Sequence, residues 1–462
     1  MKRLLTLVLT IAVLASFTAI PAAAANYGHA ADDLNYLGLF LGTDKGYELD
    51  AVPTRAQAGV MLIRLLGQEQ AALTGTYTHP FTDVPTWADK YVGYLYAKGL
   101  TKGISETEFG AGLDCDVRMY TTFVLRALGY SDTVGDFLYE DAVGFGAKVG
   151  VVDEVLAFGE FLRDDMVAMS LLALKAQPAN KSSATLLHTL VKDGAVSAEA
   201  AQPLLDRFAA YDEIVAAVAA YNREKTIDAK THVIYNLYIS DRYEEIYTDA
   251  DNSVAIKTIN NDNEVLFSLE VNSNISYSKN EVFSTAFEMY YKDGVLYINA
   301  NENDTVEKVK GEMDCEPILE ELVYQELNAI PFYHIGVIEI TYDAGDTIYT
   351  FNNVVSGIND WLNTSAIDIP PEYNLELDTK IEMTYRCVIH SDGSLSKFES
   401  EVYIEFNVKA EGEVGIILFK LISNTEVFAT GDDVVIVFPD DLDEYVWAEL
   451  YGTMSASLAG MK

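Results

Sequence analysis

From residue 230 onward, apolar and polar positions alternate along the chain. The runs 233–240 (VIYNLYIS), 253–259, 265–271, 284–291, 295–300, 335–342, 347–354, 380–390, 400–410 and 433–438 predict β-strands, because side chains of a strand point alternately to its two faces. Asp293-Gly294 lies between two such runs and predicts a two-residue hairpin. Gly345-Asp346 and Asp392-Gly393 mark two further turns. Helix-like stretches at 317–327 and 353–362 interrupt this pattern. Before residue 230 the period changes. Val60, Ile63 and Leu66, then Phe123, Val124 and Leu128, recur at helical spacing, and Gly99 and Gly129 stand where two helices should stop. The pattern predicts an α+β, multidomain chain: an all-α part followed by an antiparallel, β-rich part.

Composition narrows the function. The chain has 462 residues and a net charge of −40, from 71 acidic and 31 basic residues. Such a balance argues against nucleic acid as a partner, since phosphate binding needs clustered Lys and Arg. Residues 1–25 (MKRLLTLVLTIAVLASFTAIPAAAA) combine a basic start, an apolar centre and an A-x-A end, so they read as a secretory signal peptide. No later apolar run is long enough to span a bilayer as a helix. Cys115, Cys315 and Cys387 are too far apart in sequence for a zinc site and are expected as buried small hydrophobes, with no disulfide between domains. The six histidines are scattered, and no nucleophile elbow, phosphate loop or paired metal-binding histidines occur. No catalytic residue, metal or cofactor is assigned, and the chain is expected not to be an enzyme.

The all-α part repeats. Residues 81–130 contain FTDVPTW, AKGLTKG, FG and LRALGY in order. Residues 34–67 end on the related RLLG, and 139–175 form a more degraded third copy. This unit resembles the surface-layer homology (SLH) repeat. The resemblance implies a pseudo-threefold helical domain over 26–200, whose inter-repeat grooves bind a secondary cell-wall polymer, by family a pyruvylated glycan. It places glycan contacts on the tetrad Thr54-Arg55-Ala56-Gln57, on Arg163, which aligns with Arg55, and on Arg118, one residue past the aligned Val117. An Arg at a helix N-terminus suits a carboxylate, which it holds by two hydrogen bonds beside free backbone N–H groups. The other reading of these arginines is helix capping or pairing with Asp and Glu. Trp87 either stacks on a sugar or fills the repeat's core. Residues 201–229 read as a helical linker.

The stretch 230–462 resembles the half-barrel domains of lipoprotein carriers. YYKDGVLYINA is similar to their central hairpin, and VVIVFPDDLDEY to their closing strand and tail. The resemblance implies a half-barrel with helical insertions and a lipid or other apolar ligand. Phe287, Met289, Leu296, Ile298, Ile338 and Ile340 would line its cavity, or belong to an ordinary packed core. The expected whole is an exported protein held at the cell wall or cell surface of a Gram-positive bacterium by its SLH repeats. A surface-anchored hydrolase of polysaccharide or peptide, and a purely structural array protein, are the alternatives.

Overall fold

The computed structural model describes residues 27–448, apart from 154–155, 158, 181–183, 241–244, 261–264, 278–280, 303–304, 315–326, 328–329, 354–375 and 411–412. The expected signal peptide and Cys315 lie outside the described residues. So do the two expected helical insertions, except for residues 327 and 353. The chain divides into two compact units: residues 25–211 with 331–336, and residues 212–330 with 337–462.

The first unit is helical and repeats a helix pair three times: α1 (Gly28–Tyr36) with α2 (Arg55–Leu65), α4 (Asp89–Ala97) with α5 (Val117–Ala127), and α6 (Ala142–Val149) with α7 (Arg163–Lys175). Short α3 (Glu69–Thr74) and α8 (Leu186–Lys192) lie between and after the pairs, and α9 (Ala198–Arg223) follows, with residues 198–211 in this unit and 212–223 in the second. The first helix of every pair stops the same way. Gly38, Gly99 and Gly150 take left-handed φ of 74°, 71° and 82°, and the residue after each donates its N–H back to the carbonyl five positions earlier. That bond satisfies a carbonyl left open by the helix end. Leu34, Leu62, Leu95, Phe123 and Leu171, one from each of five helices, are fully buried in a single core.

The second unit is a mostly antiparallel, open sheet of twelve strands: β1 (Ile227–Ser240), β2 (Glu245–Asn260), β3 (Val265–Tyr277), β4 (Glu281–Lys292), β5 (Val295–Glu302), β6 (Thr305–Glu312), β7 (Ile335–Asp343), β8 (Asp346–Asn353), β9 (Glu376–Ile389), β10 (Leu395–Ala410), β11 (Glu413–Thr430) and β12 (Val446–Trp447). Their order is β12-β6-β5-β4-β3-β2-β1-β11-β10-β9-β8-β7. Two meanders, β1 to β6 and β7 to β11, are thus joined where β1 pairs with β11. Among the described pairings only the short β12, beside β6, is parallel. Asp293 and Gly294, both at positive φ, make the expected hairpin between β4 and β5. The run 433–438 is not a strand. Val435 and Val437 there are exposed and join no ladder, whereas β6 and β11 were not foreseen.

Candidate functional site

Two of the helical pairs put the first turn of their second helix against the loop of another pair. The N–H groups of Arg55 and Ala56, opening α2, donate to the carbonyls of Leu113 and Ala111 at 2.8 and 3.2 Å. Those of Arg163 and Asp164, opening α7, donate to Ala51 and Leu49 at 2.9 and 3.0 Å. Ala51 and Leu113 each lie four residues before their own second helix. The loops are therefore equivalent, and Arg55, Val117 and Arg163 occupy one repeated position. Main-chain hydrogen bonds thereby support the aligned register, with Arg118 one residue late.

Thr54 and Gln57 are committed to local structure. The Thr54 hydroxyl accepts from the Gln57 N–H, and the Gln57 side chain accepts from the Thr54 N–H at 2.9 Å, a capping box. Together they start α2 at Arg55.

Arg55 is only 6% exposed. Its Nε donates to the Phe109 carbonyl at 2.9 Å, and a terminal nitrogen reaches the Thr101 hydroxyl at 3.5 Å. The guanidinium lies 5.1 and 5.0 Å from the ring centres of Phe109 and Phe123. Burial is the main cause that lowers its pKa. Among the described residues no carboxylate forms an ion pair with it. The equivalent Arg163 is also buried, but Glu48 stands 3.7 Å from it. Position 48 corresponds to Gly110 in the loop facing Arg55, so the Arg55 site lacks that counter-charge. Three more basic groups surround the Arg55 site. Arg118 is exposed, its guanidinium 6.0 Å from the ring of Tyr139, and that phenol senses both Arg118 and Arg55 electrostatically. Arg126 donates to the Leu100 carbonyl at 3.1 Å and, with Lys102, holds Asp132. These contacts hold the Asp132 carboxyl down at about 2, Arg126 contributing most.

Sequence reasoning missed Arg126, Lys102, Thr101 and Tyr139 as members of this cluster. The one signal was that Arg64 and Arg126 recur at the tenth position of α2 and α5. Burial chiefly lowers the pKa of Arg163 and of Arg55, and repulsion from Arg64 and Arg126, respectively, adds to it. Trp87 is on the surface, 55% exposed, and no contact among the described residues links it to these arginines.

The expected apolar site divides. Phe287, Met289 and Leu296 are buried in one cluster with Phe267, Leu269 and Val271, and Ile298 packs against it. Ile338 and Ile340 are not part of it. They sit on β7, at the far edge of the sheet, where Ile340 is 40% exposed and Tyr342 78%. The expected phase along β4 and β5 matches the burial, but β7 has no buried face beyond Ile335, since it is an edge strand. Cys115 and Cys387 are buried free thiols in different units, both pushed up to about 12 by burial. Among the described residues no group of three His, Cys, Asp or Glu side chains is placed to hold a metal, and no helix is long and apolar enough to cross a membrane.

No family model matches the chain. A stretch of 123 residues is 28% identical to the middle cell wall protein of Brevibacillus brevis, covering 26% of this chain and 12% of that protein. A stretch of 146 residues is 31% identical to a cell surface protein of Thermoanaerobacter kivui, covering 29% and 19%. The surface layer protein of Brevibacillus choshinensis is 26% identical over 121 residues, 26% of this chain and 11% of its own length. The chain thus spans less than a fifth of each of these relatives. Their likeness places it among secreted proteins of the bacterial cell surface. Among solved structures, a DUF1329 family protein from Desulfovibrio piger aligns over 54% of this chain and 97% of its own, at 11% identity and a TM-score of 0.14. The S-type phycobiliprotein lyase CPES from Guillardia theta aligns over 47% and 97%, at 8% identity and a TM-score of 0.13. Scores this low carry no argument.

Proposed function

We propose that the helical unit anchors this protein non-covalently to an anionic polymer of the cell wall, without enzymatic activity, and that the sheet unit is the part displayed. One observation carries the reading: Arg55 is a desolvated guanidinium with no carboxylate partner among the described residues, in a chain whose net charge is −40. Asp116 acts on it only electrostatically, without an ion-pair contact, and a buried cation with no carboxylate in contact is costly and holds an incoming carboxylate strongly. Arg118, exposed beside Tyr139, offers a second cationic contact at the mouth of the same site. A wall glycan bearing pyruvate or another carboxylate has the matching chemistry. The relatives, named for cell wall, cell surface and surface layer, support the location.

The test is co-sedimentation of the full-length protein with purified wall sacculi. Arg118→Ala should weaken binding several-fold, and Arg55→Lys about tenfold, since lysine keeps the charge but loses the fork geometry. Arg163→Lys should matter less, because Glu48 already faces Arg163. Parent protein left in the supernatant, or an Arg55→Lys, Arg118→Ala double variant that sediments like the parent, refutes the anchoring site.

A further inference from the structure

The sheet carries a feature that anchoring does not use. In register across it stand Thr285 on β4, Ser273 on β3, Asn252 on β2, Val233 on β1, Ser423 on β11 and Ser400 on β10. Directly paired residues of an antiparallel sheet share a face, so these six form one transverse row. On β2 and β3 the flanking positions are apolar, Val254 and Val271 on one side and Ala250 and Ile275 on the other, while Thr231 and Thr425, bonded to each other, continue the first of these rows on β1 and β11. On β2 and β3 a polar stripe therefore lies between apolar positions.

Asn252 is its centre. The residue is 0% exposed, and among the described residues neither its Oδ1 nor its Nδ2 has a hydrogen-bond partner. Ala250 and Val254, which face the same way, are buried, while the oppositely facing Asp251 is largely exposed. The amide thus points into the interior of the sheet unit. Leaving it unpaired costs about 1–3 kcal/mol, a cost an apolar side chain there would avoid. An Asn amide offers donors and an acceptor at one place and carries no charge. Ser273, itself buried and already engaged in an interaction of its own, places its side chain beside the amide from the next strand. The row from Thr285 to Ser400 contains no ionisable side chain, so an anionic or cationic head would be stripped of water there without a counter-charge.

We propose that Asn252 and Ser273 receive the uncharged polar head of an amphiphilic small molecule, of the class of long-chain alcohols and monoacylglycerols, inside the sheet unit. The apolar positions on either side suit the rest of such a molecule. The inference is independent of the anchoring site, which lies in the other unit.

Native mass spectrometry of the full-length protein tests it, with monoolein and oleate as the probes at pH 7.5. The expected result is a one-to-one monoolein complex and at least tenfold weaker binding of oleate. Asn252→Leu should lose about tenfold in monoolein affinity and abolish the preference. It should also raise the unfolding midpoint of the empty protein, because the orphaned amide is gone. Ser273→Ala, a smaller change, should weaken monoolein several-fold and keeps the test open where Asn252→Leu does not fold. Absence of a monoolein complex, preference for oleate, or affinity unmoved by the tested variants overturns the proposal, and in that case a buried water satisfies Asn252.

Discussion

Two aspartates of the helical unit have opposite electrostatic surroundings and predict opposite pH behaviour. Asp132 accepts from Arg126 at 3.1 and 2.7 Å and from Lys102 at 2.8 Å, and its carboxyl is held at about 2. A carboxylate depressed in the fold contributes stability above its unfolded pKa, lost as pH falls through the folded value. Asp132→Asn should therefore destabilise the protein by about 1–3 kcal/mol at pH 7. Urea titrations at several pH values should show the gap to the parent closing between about pH 4 and pH 2. Asp164 is the reverse case. Burial raises it to about 7, although it accepts the Tyr27 N–H at 2.7 Å. A raised carboxyl favours the fold below its unfolded pKa, and this advantage disappears as pH rises through about 7. Asn accepts the same N–H and carries no charge. Asp164→Asn should match the parent's melting temperature near pH 4 and exceed it at pH 8. Equal melting temperatures at pH 8 would show that the carboxylate is not desolvated. Neither aspartate stood out in the sequence, since acidic residues are common along this chain and say little singly. Arg55 and Arg163 were legible, because their position follows from the helix starts. That Arg55 stacks between Phe109 and Phe123 was not, because both rings come from a different repeat.

Elements were readable wherever local chemistry decides them. The glycine stops of the helices and the Asp293-Gly294 hairpin need only a positive φ at a known place. Strand β11 escaped because it lies between β1 and β10, and its stretch IILF has no alternation. The run 433–438 misled for the complementary reason: it alternates, but alternation specifies an extended backbone and not a pairing partner. Edge position likewise left Ile338 and Ile340 outside the apolar cluster. Two glycines separate backbone from packing effects. Gly99 has φ of 71° and open space where a Cβ would stand, so Gly99→Ala should cost about 1 kcal/mol, from the left-handed backbone alone. Gly67 has φ of 63°, and its Cβ would come within 2.4 Å of the Ala195 Cβ. Gly67→Ala should cost clearly more than Gly99→Ala. Equal urea midpoints for the two variants would mean that the segment carrying Ala195 yields freely.

For the whole molecule, chain order and compact units do not coincide. Residues 331–336 belong to the helical unit although the chain on both sides belongs to the sheet unit. Phe332 and Tyr333 are buried in the helical core. Phe332 meets the rings of Phe208 and Tyr211 at 4.9 and 5.2 Å. Tyr333 packs edge-on to Tyr27 and donates its hydroxyl to Asp153, and Arg207 donates to the Gly336 carbonyl and pairs with Asp33. Nothing in local sequence announces this, because PFYHIG reads as the approach to a strand and its partners lie over a hundred residues earlier. The arrangement predicts that the three repeats do not reach full stability by themselves. Truncating a large buried aromatic costs about 3–5 kcal/mol, and a chain ending at Tyr211 loses two together with the Gly336 acceptor. Such a chain should unfold at markedly lower urea than the helical unit of the intact protein, and a synthetic peptide spanning residues 330–337 should restore part of the difference. In the full chain, Phe332→Ala should lower the helical unit's midpoint, followed by hydrogen exchange at α7 and α9. A truncated chain as stable as the intact helical unit, with Phe332→Ala unchanged from the parent, would show that the hexapeptide only rests against a core complete without it.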